Sequence, residues 1–254
     1  MSRVHHIEGR HPVLEALRSG RRVLRVLVAE GARGSALDIV TEARARGVAV
    51  DVVPRAQLDA MAEGRVHQGV IALAEPRAYG DPRDMLEAAG RRGEAPLLVV
   101  LDGVEDPRNL GSVIRSAAAA GAHGVIIPTR RSAELTPAAV KASAGAAERL
   151  PVAREVNLAR TLDWLRERGL WTVGADAEAP QVYTEVDLTL PTALVVGGEH
   201  RGLRRLVREK CDLLARIPMA PGNESLNASV AAAVLLFEAA RQRRVAGRPV
   251  PSEA

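Results

Sequence analysis

From Pro96 onward the chain alternates short, nearly uninterrupted apolar runs with stretches of helical periodicity, and this alternation restricts the possible folds more than any other feature. The runs are LLVVLDG (97–103), GVIIP (124–128), LWTVGAD (170–176), TALVVGG (192–198) and LLARIPM (213–219). Helical stretches separate them over 109–120, 137–148, 158–168, 202–211 and 225–244. A strand apolar on both sides must be covered on both, and helices between successive strands supply that cover. The expectation is an α/β fold with a mostly parallel sheet. A smaller α/β unit precedes it over 1–75, with strand-like VLRVLVA (23–29), VAVDVVP (48–54) and HQGVIALAE (67–75) and helical SALDIVTEARARG and RAQLDAMAEG. The proline- and glycine-bearing EPRAYGDPRD marks a linker over 76–95, in which DMLEAAGRRG forms a short linking helix. The larger domain then spans 96–247, and residues 248–254 are expected to fray.

With one Phe, two Tyr and two Trp in 254 residues, both cores must be aliphatic. No run of about 18 uncharged apolar residues exists, so a membrane span is not expected. MSRVHHIEGRHP lacks the apolar stretch of a signal peptide, and the simplest address is the cytoplasm. A single cysteine, Cys211, excludes an internal disulfide framework and a Cys-rich metal site. The formal charge of +4 points to a polyanionic partner, although the basic set is nearly all arginine, with only Lys141 and Lys210 as lysines. Two acid-free clusters concentrate it: Arg18, Arg21, Arg22 and Arg25 in one, Arg241, Arg243, Arg244 and Arg248 in the other. Each reads either as a solvated face or as a phosphate-binding patch. Neither usual nucleotide loop, G-x-G-x-x-G or G-x-x-x-x-G-K-[ST], is present, nor H-E-x-x-H, G-x-S-x-G or C-x-x-C. No metal is expected.

Polar residues gather instead at three strand ends, where open α/β sheets place their sites. In LDGVEDPRNLGSVIRSAAAAGAHG, Asn109 either caps a helix or faces a ligand, and Arg115 either sits on the surface or joins it. Six helical positions separate the two side chains by about 120°, so they converge only if Asn109 lies at or before the cap. In VVGGEHRGLRR, Gly197 and Gly198 allow close backbone approach, and Glu199 either pairs with Arg201 or Arg204 or serves the site. In IPMAPGNESLN, Asn223, Glu224, Ser225 and Asn227 crowd the start of an apolar helix, as caps or as a site wall.

At these loops the sequence resembles the SpoU (TrmH) family of RNA ribose 2′-O-methyltransferases. The resemblance rests on DPRNLGSVIRSA (106–117), LVVGGEHRGLRR (194–205) and RIPMAPGNESLNASVAAAVLLFEAARQR (216–243). HQGVIAL, GRHPVLEAL and VKASAGAAERLPV are similar to the RlmB-type branch, which methylates a guanosine of large-subunit (23S) ribosomal RNA. The resemblance implies a C-terminal trefoil knot, a homodimer, S-adenosylmethionine as cofactor and a ribosomal-protein-like N-terminal domain that binds the RNA substrate. It implies donor contacts at Gly197, Gly198, Ile217, Met219 and Leu226, and a catalytic set of Asn109, Arg115, Glu199, Ser225 and Asn227. Arg18, Arg21, Arg22 and Arg25 are the expected RNA contacts. The alternatives are a tRNA methyltransferase of the same family and a non-catalytic RNA-binding module.

Overall fold

The computed structural model describes residues 4–19, 21–62, 64, 66–75, 79–199, 201–223 and 225–247. The expected tail, Glu224 and Arg248 lie outside them. The first part of the chain runs β1 (His5–Glu8), α1 (Arg10–Arg18), β2 (Val23–Ala29), α2 (Ser35–Ala45), β3 (Ala49–Val53), α3 (Arg55–Ala62) and β4 (Val70–Ala74). Its four strands form a sheet ordered β1-β4-β2-β3, in which only β2 and β3 are parallel. Ile7, Val13, Val26, Ile39 and Val70 pack one face, and Leu27, Leu58 and Ile71 the other.

The second part begins with α4 (Pro82–Arg91) and continues through β5 (Leu97–Asp102), α5 (Pro107–Ala119), β6 (Gly124–Pro128), α6 (Pro137–Ala142), β7 (Val152–Glu155), α7 (Leu158–Arg166), β8 (Trp171–Ala175), β9 (Gln181–Val182), β10 (Thr192–Gly197), α8 (Arg205–Lys210), β11 (Leu213–Arg216) and α9 (Ala228–Val245). Its strands form a seven-stranded sheet ordered β7-β6-β5-β10-β8-β11-β9, and each pairing in it is parallel. The five expected strands are present. The two additional ones, β7 and β9, are short edge strands, whose exposed side removes the apolar signal that marks a central strand. Alternate residues of β5 go to opposite cores: Leu97, Val99 and Leu101 meet α5 and α9, while Leu98 and Val100 meet α7 and Val207 of α8.

Four sequence expectations need correction. Within 76–95 the expected short helix is present as α4, started by Asp81, whose carboxylate accepts from Arg83 N at 2.8 Å. It is built into the flank of the large sheet rather than bridging freely: Met85 is fully buried, and a Cβ on Gly124 would lie 2.2 Å from its sulfur. The helix expected over 137–148 breaks after Ala142, because Ala144 and Gly145 take positive φ of 49° and 89°. The chain then resumes as a short 3-10 turn, Ala146–Glu148. The helix expected from 225 starts at Ala228, and the one expected from 202 starts at Arg205.

The two parts meet along α1, β1 and the Ala146–Glu148 turn. Arg21 donates to the Glu148 carboxylate at 2.6 Å, with side chains 9% and 0% exposed, and to Glu75 O at 3.0 Å. Arg149 pairs with Glu15 at 3.0 Å. No helix among the described residues is long and apolar enough to cross a membrane.

Candidate functional site

The C-terminal ends of β5, β8, β10 and β11 open on one side of the large sheet, and a cleft of about 450 Å³ lies there. That size falls within the ~300–1,000 Å³ usual for small-molecule sites. Gly197, Gly198, Glu199, Ile217, Met219, Ser225 and Leu226 line it. Leu226 is 36% exposed, an apolar side chain left open to the cleft.

The loop after β10 owes its shape to its glycines. A Cβ on Gly197 would stand 2.1 Å from Gly202 C, and one on Gly198 would stand 2.3 Å from Gly103 O. The glycines therefore let the chain's own loops close on one another, where the sequence suggested approach to a ligand. A second tie fixes the same loop. Asp102, at the end of β5 and fully buried, accepts from Arg204 N at 2.8 Å and from its Nε at 2.6 Å.

With Arg204 held by Asp102, Glu199 has other partners. Its Oε1 accepts from Asn109 Nδ2, and from Asn227 Nδ2 at 2.7 Å. Asn227 Nδ2 also reaches Asn109 Oδ1 at 3.2 Å. Residues 90 and 118 apart from Asn109 thus converge in one hydrogen-bonded cluster at the rim. Of the two readings of Glu199, an ion pair with Arg201 or Arg204 gives way to these amide donors. Asn109 is not a cap: Asp106 caps α5, accepting from Arg108 N at 2.8 Å, and Asn109 lies inside the first turn. The cap of α9 is Asn227, whose Oδ1 accepts from Ser229 N at 2.9 Å, so Ser225 is left in the preceding loop.

Arg115 does not join this cluster within the chain. From its place inside α5 it lines a different cavity, together with His11, Arg92 and Arg149. The condition for its convergence with Asn109 is unmet, because both residues are helical. Of the four arginines expected to meet RNA, Arg21 is committed to the buried pair with Glu148. The side chains of Arg18, Arg22 and Arg25 are 56%, 76% and 51% exposed, each beside one acid. In the C-terminal cluster Arg243 is buried and donates to the carbonyls of Ala95, Pro96, Leu188 and Leu190, so it is no solvated face.

Sequence reasoning missed Asp176 and Arg208, which pair across the cleft wall. Asp176 directly follows β8, and its place at a strand end was the available signal. Burial, reinforced by Asp212 and Asp102, pushes the nearby Cys211 thiol up to about 12, so it is no nucleophile for this cleft.

The pattern of the SpoU rRNA Methylase family matches residues 96–237, which carry the whole cleft. The chain belongs to this family. A second pattern, described as RNA 2′-O ribose methyltransferase substrate binding, matches residues 6–80. YacO of Bacillus subtilis, assigned to the TrmH family of tRNA/rRNA methyltransferases, is 45% identical over 97% of this chain and all of its own length. The SpoU methyltransferase AviRb of Streptomyces viridochromogenes, solved in complex with its cofactor AdoMet, superposes with a TM-score of 0.81 at 29% identity, covering 95% of this chain and 91% of that one. An AdoMet-bound rRNA methyltransferase of Sinorhizobium meliloti superposes with a TM-score of 0.79 at 29% identity, covering 96% and 88%. This SpoU-family chain is accordingly an RNA methyltransferase.

Proposed function

We propose that the chain transfers a methyl group from S-adenosylmethionine to the 2′-hydroxyl of a ribose in RNA, with a guanosine of 23S ribosomal RNA as the acceptor. The observation that carries this reading is the meeting of Asn109, Glu199 and Asn227, from three distant segments, at the rim of the cleft. The lining suits a cationic nucleoside: Ile217, Met219 and Leu226 offer an apolar shelf, the Gly197–Gly198 backbone is open to it, and Glu199 brings a carboxylate. When bound, S-adenosylmethionine supplies a methyl group activated by its sulfonium charge.

The chain's own residues orient donor and acceptor. Ile217, Met219 and Leu226 hold the apolar part of the donor, with Gly197 and Gly198 contributing backbone groups. Glu199 takes both asparagine amides and so ties the β10 loop to α5 and α9, keeping the cleft wall fixed for near-attack geometry. Ser225 stands on the floor. Arg115 offers a cationic guanidinium, whose planar fork of donors suits a phosphate. In that form it binds the phosphate beside the acceptor and stabilises the oxyanion as the hydroxyl proton leaves to phosphate or water. Because Arg115 opens on another side of α5 from its own cleft, we place it at the cleft of a second copy in a homodimer. Val230 and Phe237, 47% and 51% exposed on α9, support such an interface.

The N-terminal unit acts, in this reading, as a ribosomal-protein-like RNA-binding domain, and the C-terminal segment threads as a trefoil knot. In support of the knot, β11 lies beyond β8, after which α9 returns to pack on α5 and β10. The match of residues 6–80 to an RNA 2′-O ribose methyltransferase substrate-binding pattern supports the RNA-binding role of that unit.

The test is transfer of labelled methyl to unmethylated 23S rRNA and tRNA transcripts, followed by mapping of the modified nucleotide. Label on a ribose 2′-oxygen of rRNA is the expected result. Label on tRNA alone would move the substrate assignment, and RNA binding with no label on either would make the chain a binding module. Arg115→Ala should lower transfer at least 100-fold, the scale of one oxyanion-stabilising group, with donor affinity within twofold of the original. A collapse of donor affinity would remove Arg115 from the acceptor side.

A further inference from the structure

The cavity containing Arg115 is about 710 Å³ and lies at the seam between the two parts of the molecule. Its walls bring together residues remote in sequence: His11 from α1, Arg92 at the end of α4, Arg115 from α5 and Arg149 after the Ala146–Glu148 turn. No carboxylate lines it among the described residues. The guanidinium groups of Arg92 and Arg115 make no hydrogen bond or ion pair to any described residue, and Arg149, 63% exposed, has Glu15 as its partner. Three arginines thus converge on one cavity, and of them Arg149 alone has a carboxylate partner.

The walls are also held in fixed relation. A Cβ on Gly145 would meet Glu15 Cγ at 2.9 Å and His11 Nδ1 at 3.2 Å, so α1 lies directly against the turn. Ala144, which lines the cavity, holds a left-handed φ of 49° that an alanine adopts only when its surroundings impose it. The buried Arg21–Glu148 pair fastens the same seam.

We infer that this cleft is a binding groove for the RNA sugar-phosphate backbone, in which Arg92 and Arg149 hold phosphates outside the methyl-transfer site and His11 brings the N-terminal unit to the same strand. The inference rests on the reading that the chain acts on RNA. In the arginine cluster of residues 18–25 every side chain has an acid beside it, whereas in this cavity Arg149 alone does. Spacing of cations across a concave wall suits a flexible chain of phosphates, each neutralisation releasing counterions.

The experiment measures binding of the full chain to an unmethylated 23S rRNA transcript by fluorescence anisotropy over a salt series. Arg92→Gln, Arg149→Gln and the double variant are compared with Glu15→Gln, which breaks the Arg149 pair but keeps the cation. Each lost arginine should weaken RNA binding about tenfold at low salt and flatten the log–log salt slope by roughly 0.7–0.9. Donor affinity should not change. Glu15→Gln should leave the slope as steep as in the unaltered protein. An unchanged slope in Arg92→Gln and Arg149→Gln overturns the proposal. A Glu15→Gln slope as flat as that of Arg149→Gln reduces Arg149 to a seam residue and overturns its phosphate role. Arg92 is exposed and its side chain makes no hydrogen bond or ion pair to a described residue, so the result for Arg92→Gln stands if the double variant folds poorly. Failure of the methyl-transfer reading is separable: the unaltered protein would then bind RNA with the steep, arginine-dependent slope yet transfer no methyl.

Discussion

At the scale of single residues, the choice of partner for each carboxylate decides what the site can do. Asp102 is fully buried, and a buried carboxylate without a cation is strongly unfavourable. It therefore takes Arg204, through backbone and side chain, across 102 positions of sequence. That leaves Glu199 to the amides of Asn109 and Asn227. The residue types at the rim were readable from the sequence, whereas the exchange of partners was not, because Arg201 and Arg204 lie close to Glu199 in the chain and offered nearer pairings. Cys211 illustrates burial reinforced by nearby carboxylates. Its thiol donates to Val207 O at 3.3 Å and is held up to about 12, well above the ordinary thiol range. Reactivity follows the thiolate fraction, so labelling of the folded protein by a thiol reagent at pH 8 should be slow and should accelerate at least tenfold on unfolding in urea. The sign for stability is set by the same shift. The folded state keeps the proton between the ordinary thiol pKa and about 12, so this contribution is intact below pH 9 and declines as pH rises through that window. Fast labelling of the native protein at pH 8 would contradict the burial argument.

At the scale of elements, helix boundaries carry the site. α9 could not be placed to the residue from periodicity, since three polar residues among 223, 225 and 227 all have capping side chains. The structure selects Asn227, and the selection matters because the same side chain caps the helix with Oδ1 and supports Glu199 with Nδ2. Two substitutions separate these tasks. Asn227→Asp keeps an oxygen for the cap but puts a carboxylate against Glu199; stability should stay within ~0.5 kcal/mol, given that Asp and Asn cap about equally, while methyl transfer falls. Asn227→Ala should lose about 1 kcal/mol of stability by chemical denaturation and transfer as well. Equal activity in the Asp variant and the unaltered protein would show that the Asn227–Glu199 contact is dispensable. The split of the 137–148 region is a similar case. Nothing in KASAGAAE shows helical periodicity failing, yet α6 packs so near α5 that a Cβ on Gly111 would lie 2.3 Å from Ala139 O. The chain turns at Ala144–Gly145 and presents Glu148 to the other half of the molecule.

At the scale of the whole molecule, the question is how two sheets become one object. Arg21 and Glu148, 127 residues apart, form the most buried ion pair of the seam. Removing one member of such a pair leaves the other charge uncompensated, at a cost of about 3–5 kcal/mol. Arg21→Gln should therefore lower unfolding stability by roughly that amount, while Arg22→Gln, whose partner Glu75 is solvent-exposed, should cost at most ~1 kcal/mol. Urea titrations of the two variants side by side provide the measurement, and equal effects would mean that the seam does not depend on this pair. The sequence marked all four arginines of residues 18–25 alike. Only the docking of α1 and β1 against the Ala146–Glu148 turn distinguishes the buried one from the three that face water.

Much of the protein was determined by its sequence alone. Near-continuous apolar runs such as LLVVL and ALVV can lie only in a sheet covered on both faces, and the polar, glycine-bearing segments that follow them can lie only at its open end. The α/β class and the five central strands follow from that pattern, whereas the family was legible in the motifs at 106–117, 194–205 and 216–243, whose resemblance also implied Gly197, Ile217 and Leu226 at the cleft. The edge strands, the helix starts, the division of Asp102 and Glu199 between Arg204 and the asparagines, and the separation of Arg115 from Asn109 were decided by tertiary structure. Each depends on which groups become buried together across tens to hundreds of residues, and burial sets the energy of a charge or an amide far more strongly than its neighbours in the chain do.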